Sequence, residues 1–247
     1  MNLAFALLLV AAQTTPGDFL REEESELLNF SYAWPAAAER EPPLRDLLRR
    51  RMDEAFARAV ADARENRREM REGGFEFHQH EYTAGWELAG NPVGLISLTA
   101  STFSFAGGAH GNNFFDALLW DDGAHREIGV KDLLGRDVID ALGPDFCAEL
   151  DRQRAERRGE PVVPDPGDPF ARCPPIGEQV LALANRDNNP QFDTLLVLLA
   201  PYVAGPYVEG DYVIEVRLDE GARLHVPERF RTAFFPWGER IRPIPED

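Results

Sequence analysis

Gly107-Gly108-Ala109-His110-Gly111-Asn112 stands between two strand-like runs, Val93 to Phe105 and Asn113 to Trp120. Glycine tolerates positive φ and close approach of another backbone. Read as the connection between two strands, the segment makes the middle of the chain antiparallel sheet. It also holds His110 on a backbone that few residues adopt. Working outward, Ala89-Gly90-Asn91-Pro92 is a turn that links Val93 to an earlier strand, Phe75 to Leu88. On the other side Asp121-Asp122-Gly123 is a tight turn. These pieces predict an antiparallel meander.

Before the meander, Leu44, Leu48, Met52, Ala55, Phe56, Ala59 and Ala63 recur at intervals of three and four. That spacing predicts one long amphipathic helix with an Arg- and Glu-rich solvent face. Pro42 and Pro43 suit its start and Gly73-Gly74 its end. Leu27 to Trp34 reads as a first strand stopped by Pro35. After the meander, Asp137 to about Arg158 reads as helical, and Ile176 to Ala184 as another short helix. Phe192 to Leu199 and Tyr212 to Leu218 read as strands. Phe230, Phe234, Phe235 and Trp237 in the tail are expected to dock on the core. The fold class expected is α+β: an antiparallel meander packed against a long N-terminal helix, with further helices.

Leu3 to Ala12 is an apolar run of signal-peptide length, too short to span a bilayer, and Val10-Ala11-Ala12 fits a cleavage site. No Lys or Arg precedes it, which leaves open a start further upstream. The expectation is export to the periplasm or the exterior, with no transmembrane segment in the mature chain. Cys147 and Cys173 are the two cysteines. In an oxidising compartment they are expected to pair, closing a loop worth roughly 3–4 kcal/mol on the chain-entropy model. The long Pro- and Asp-rich stretch from Pro161 to Pro175 would be tethered by that bond.

The chain of 247 residues carries a net charge of −17. Nucleic-acid binding rests on clustered Lys and Arg and is not expected. A cationic partner would be steered towards such a surface. No P-loop, dinucleotide fingerprint, Gly-x-Ser-x-Gly or His-Glu-x-x-His occurs. No cofactor is expected.

A second segment stands out late in the chain, Pro201-Tyr202-Val203-Ala204-Gly205-Pro206-Tyr207-Val208-Glu209-Gly210. GGAHGN followed by Tyr-x-x-Gly-x-Tyr-x-x-Gly, here Tyr202, Gly205, Tyr207 and Gly210, resembles the PdaC/RsiV-like family. That family comprises the extracytoplasmic domain of the anti-sigma factor RsiV and the non-catalytic accessory region of the deacetylase PdaC. The resemblance spans Glu26 to Phe235. It divides the chain into a signal peptide (1–12), a spacer (13–25), an N-terminal PdaC-like α+β part (26–106), a C-terminal RsiV-like α+β part (107–237) and a tail (238–247). It implies an extracytoplasmic domain that binds or senses a cell-wall-related ligand, a lysozyme-like cationic protein or a glycan. It does not imply deacetylase chemistry, because the two-histidine metal motif of that enzyme class is missing.

The residues expected to form a ligand site are Gly107, Gly108, His110, Asn112, Tyr202 and Tyr207. Tyrosines beside a rigid Gly-Pro bend give large contact area at small entropic cost. No catalytic residue is assigned. An alternative is a cell-wall hydrolase with His110 as acid/base, which requires a carboxylate beside it. Another is a purely structural envelope protein in which His110 fixes a turn and the tyrosines plug the sheet. His78 and His80, two apart on a strand, would share a face with Glu76 beside them, opposite Phe75 and Phe77. A solvent face explains that pattern, and no metal site is assigned. The protein is expected to be a monomer.

Overall fold

The computed structural model describes residues 16–163, 165, 167–186 and 190–235. The apolar run Leu3–Ala12, Trp237 and the tail 238–247 lie outside the described residues. Six strands form the first sheet: β1 Phe19–Glu24, β2 Leu28–Trp34, β3 His80–Gly90, β4 Leu95–Phe105, β5 Asn112–Asp121 and β6 Arg126–Ile128. They lie in sequence order. β2 and β3 run parallel and every other neighbouring pair is antiparallel. The antiparallel meander expected over β3, β4 and β5 is present, and the first strand, β2, joins it in parallel. A parallel pair needs a long crossover, and the long helix supplies it.

That crossover holds a short helix, α1 Ala36–Glu39, and then α2 Pro42–Gly73. Leu44, Leu48, Met52 and Ala63 are buried along α2, as the stripe predicts. They pack on Phe30, Tyr32, Trp34, Trp86, Leu98 and Leu118 of the sheet. Gly74 ends α2 at φ +74°, where its N–H meets the Arg71 carbonyl. The helix thus ends at the expected Gly73-Gly74, and the chain needs 75–79 to return to the sheet. This moves the start of β3 from Phe75 to His80. Phe75 is 70% exposed rather than core, and His78 is exposed while His80 is buried. The two histidines do not share a solvent face.

Residues 19–24, read as spacer, form β1. Its side chains are mostly exposed, so no hydrophobic alternation announces it. Backbone pairing with β2 makes the strand.

The second half begins with helices α3 Val130–Leu134, α4 Arg136–Ala141 and α5 Gly143–Arg158. A second sheet follows, with antiparallel strands β7 Val180–Ala184, β8 Thr194–Leu199 and β9 Tyr212–Arg217. The helix expected over Ile176 to Ala184 is corrected: one 3-10 turn, Ile176–Glu178, precedes β7. Leu-Ala-Leu-Ala has good helix propensity, but ladder pairing to β8 and burial on both sides override it. All six residues of β8 are buried. Leu195, Val197 and Leu199 face a core shared with Phe146 and Leu150 of α5. Leu196 and Leu198 face Ala89, Phe115 and Ala117 of the first sheet. The layers are therefore α2, large sheet, small sheet and C-terminal helices. The last helix, α6 Glu220–His225, and a 3-10 turn bring Phe230 and Phe234 into the core.

Cys147 of α5 and Cys173 form a disulfide, with Cα atoms 5.5 Å apart. The pairing expected from the sequence is present.

Candidate functional site

Two connections meet at one end of the layered sheets. The first, 106–111, joins β4 to β5, whose last ladder pair is Ser104 with Asn112. Gly107 takes φ +81°. Gly111 is buried so tightly that a Cβ there would overlap the Phe103 ring. The glycines thus serve two distinct needs, a left-handed turn and a close approach to an aromatic ring.

The second connection, 200–211, joins β8 to β9. Tyr202 adopts φ +70°, an uncommon conformation for a side chain of this size. Its N–H donates to the Gly205 carbonyl at 3.1 Å. Backbone strain at an exposed tyrosine is the kind that gathers at ligand sites.

His110 and the two tyrosines form a triangle of rings, with the tyrosine centroids 5.7 Å apart. The His110 ring stacks on Tyr207, with centroids 4.0 Å apart, and Tyr202 is 6.5 Å away. His110 Nδ1 lies 2.8 Å from the Gly111 carbonyl. A carbonyl only accepts, so Nδ1 carries the proton and Nε2 of the neutral ring is an acceptor. The Tyr202 hydroxyl faces Nε2 at 3.5 Å, the outer limit of a hydrogen bond. The Tyr207 hydroxyl donates to the same Gly111 carbonyl at 2.9 Å. Tyr207 is half-buried, His110 is exposed and Tyr202 is 54% exposed. Val203 and Val208 beside them are also exposed, Val208 by 88%.

Of the six residues expected in the site, the structure brings three together: His110, Tyr202 and Tyr207. Gly107 instead lies beside His78 and Asn66, Gly108 faces open space, and Asn112 is the exposed first residue of β5. His80, just behind this turn, places Nε2 3.2 Å from the Asn66 amide oxygen. Burial lowers its pKa.

The second connection has a support that the sequence did not announce. Arg154, Arg157 and Arg158 all project from the last turns of α5 towards it. Arg154 is fully buried and its Nε donates to the Ala204 carbonyl at 2.8 Å. Arg158 forms a forked pair with Glu209, at 2.9 and 3.1 Å. Tyr212 donates to the same carboxylate at 2.5 Å. Burial pushes Glu209 up, but Arg158 and Tyr212 outweigh it and hold the carboxyl below its usual value. Burial, and then the same contact with Glu209, raise Tyr212 to about 12. Arg157 donates to the carbonyls of Glu209 and Asp211, and its guanidinium lies 3.9 Å from the Tyr212 ring centroid. The Glu209 side chain folds across Gly205, where a Cβ would overlap the carboxylate. The one available signal was arginine spacing of three and four behind Leu150 on a helix.

Among the described residues, no group of three or more His, Cys, Asp or Glu side chains is placed to hold a metal ion. No described helix is long and apolar enough to cross a membrane.

Comparison with known proteins agrees with the fold. Residues 21–113 match the family model described as "Deacetylase PdaC". A DUF3298-family protein from Bacteroides fragilis is similar in structure, with 14% identity, a TM-score of 0.50, and coverage of 85% of this chain and 91% of that one. Another, from Pseudomonas aeruginosa, has 16% identity, a TM-score of 0.46, and coverage of 83% and 92%. No curated protein matches the chain. The chain is thus an α+β protein of DUF3298-like fold with a PdaC-type segment at 21–113. The resemblance to the PdaC/RsiV-like family is borne out.

Proposed function

We propose that this protein is an exported binding module that recognises a cell-wall-related ligand through the exposed surface of His110, Tyr202 and Tyr207. The observation behind this reading is the meeting of two motifs, 92 residues apart in sequence from His110 to Tyr202, at one exposed aromatic cluster. Exposed tyrosines flanked by Val203 and Val208 offer apolar anchor area with polar tips, the composition of binding hot spots. The strained backbone at Tyr202 keeps that side chain presented rather than folded away. The net charge of −17 favours a cationic protein of the lysozyme type, and a cell-wall glycan is the other ligand in view. The apolar run Leu3–Ala12 and the disulfide support an extracytoplasmic setting.

The hydrolase alternative calls for a carboxylate beside His110. Among the described residues its ring is met by the Gly111 carbonyl and the Tyr202 hydroxyl. Neither activates a water molecule as a general base pair would.

The test is retention of the purified protein on immobilised lysozyme and on purified cell-wall glycan at physiological salt. Retention on lysozyme that Tyr202→Ala abolishes supports the reading. Retention on glycan alone replaces the protein ligand with the sugar. No retention on either removes the binding function.

A further inference from the structure

We infer that Arg154 is a positioning residue that couples the disulfide-clipped loop to the tyrosine segment, so that the Cys147–Cys173 bond sets the geometry of the recognition surface. The inference rests on the recognition reading for its functional consequence, and on contacts in the fold for its mechanism.

Arg154 is a cation with no exposed surface. Its planar fork reaches three acceptors. Nε donates to the Ala204 carbonyl at 2.8 Å, Nη2 to the Arg172 carbonyl at 3.0 Å, and Nη1 to Asp151 at 3.0 Å. Ala204 lies between Tyr202 and Tyr207 and is itself buried. Arg172 is the residue before Cys173, which is bonded back to Cys147 two helical turns before Arg154 on α5. One side chain therefore ties three things together: the helix, the crosslinked loop and the backbone beneath the tyrosines.

Rigid coupling follows from the chemistry of the group. A buried guanidinium is tolerated only while its donors are met. Its hydrogen bonds leave in fixed directions from one plane, so the Arg172 and Ala204 carbonyls must hold a set separation. If the 159–175 loop drifts, Arg154 either follows it and releases Ala204, or stays and keeps an unmet buried donor. Arg158 holds the far end of the same segment at Glu209 and meets the crosslinked loop through the charge of Asp168, a contact without the fixed direction of a hydrogen bond. The hydrogen-bonded path from the disulfide-clipped loop to the tyrosine segment runs through Arg154.

The experiment is a double-mutant cycle of Arg154→Lys against Cys147→Ser/Cys173→Ser, with three readouts: NMR signals of the His110 and Tyr202 rings, thermal melting, and lysozyme affinity. Lysine keeps the charge and loses the fork. Each change is expected to move the His110 and Tyr202 signals in the same direction and to weaken affinity about tenfold through lost preorganisation. The combined variant is expected to do no more than either alone, because both cut one path. Additive shifts, or ring signals that stay in place while melting falls, would overturn the inference and leave Arg154 a packing residue. Should the serine variant fail to fold, wild-type protein reduced with a dithiol below its melting range supplies that corner of the cycle. If the wild-type protein retains no lysozyme, the recognition reading fails, and the ring signals still decide the coupling.

Discussion

The two connections that meet at His110 are held by opposite means. The 106–111 turn is held mostly from within, with one outside bond from the Tyr207 hydroxyl to the Gly111 carbonyl. Gly107 takes a left-handed φ, Gly111 presses on Phe103, and His110 bonds the carbonyl of its neighbour. The 200–211 segment is held from outside, by three arginines of α5 and a disulfide-clipped loop. The first is a local device and the second a tertiary one. A local device is disturbed only by changes within itself, whereas a tertiary one fails when a distant part moves. The contrast places local control on the histidine side of the surface and control from a distance on the tyrosine side.

Substitutions can break this contrast in order of size. The largest effect is expected from Cys147→Ser/Cys173→Ser, which should cost about 3 kcal/mol on the chain-entropy model, read as a lower urea midpoint. Hydrogen exchange should rise first in 159–175 and 200–211 and leave 106–111 protected. Next comes Gly111→Ala, which forces a methyl group into the Phe103 ring and should cost about 1–3 kcal/mol by overpacking. Exchange should then rise at 106–111 and not at 200–211, the reverse pattern.

Glu209→Gln should follow, at about 1–2 kcal/mol, since it turns a charged forked pair into a weaker neutral one. It also carries a pH signature. The folded carboxyl sits below its ordinary value, so its contribution is full above the usual carboxylate range and is lost as pH falls through the folded value. Urea midpoints between pH 6 and pH 2 should fall less steeply in Glu209→Gln than in wild type.

His80 supplies a smaller pH effect on the other connection. Burial lowers its pKa, outweighing Asp62, so the neutral ring is favoured in the fold. The unfolded chain takes up the proton first as pH falls below the ordinary histidine value, and stability declines from there down to the folded pKa. His80→Gln should flatten that part of the melting profile. The smallest effect on stability is expected from Tyr202→Gly, which relieves the positive φ and should leave stability unchanged or raise it by up to about 1 kcal/mol.

Why the sequence announced one connection and not the support of the other follows from the same contrast. Gly107, His110 and Gly111 sit within five residues, and a glycine requirement is visible wherever it occurs. The stripe from Leu44 to Ala63 was legible for the same reason, since its period is local. Arg154 and Ala204 are fifty residues apart, and nothing in either neighbourhood says that one reaches the other. The residues of β7 favour a helix on their own, and the strand is imposed by its register with β8. β1 leaves no mark in the sequence because an exposed edge strand with Arg and Glu side chains makes its backbone pairs without an apolar pattern. His78 and His80 share a face only if the strand starts at Phe75; residues 75–79 have a strand-like pattern but serve to return the chain from the Gly74 cap, and β3 begins at His80.

The most direct measurement is a calorimetric titration of lysozyme into wild-type protein and into Tyr202→Gly at physiological ionic strength, with melting curves of both. The expected result is binding by wild type, and affinity reduced at least about tenfold in the variant at equal or higher melting temperature. Equal affinity in the two proteins would contradict a recognition role for the surface where the two connections meet.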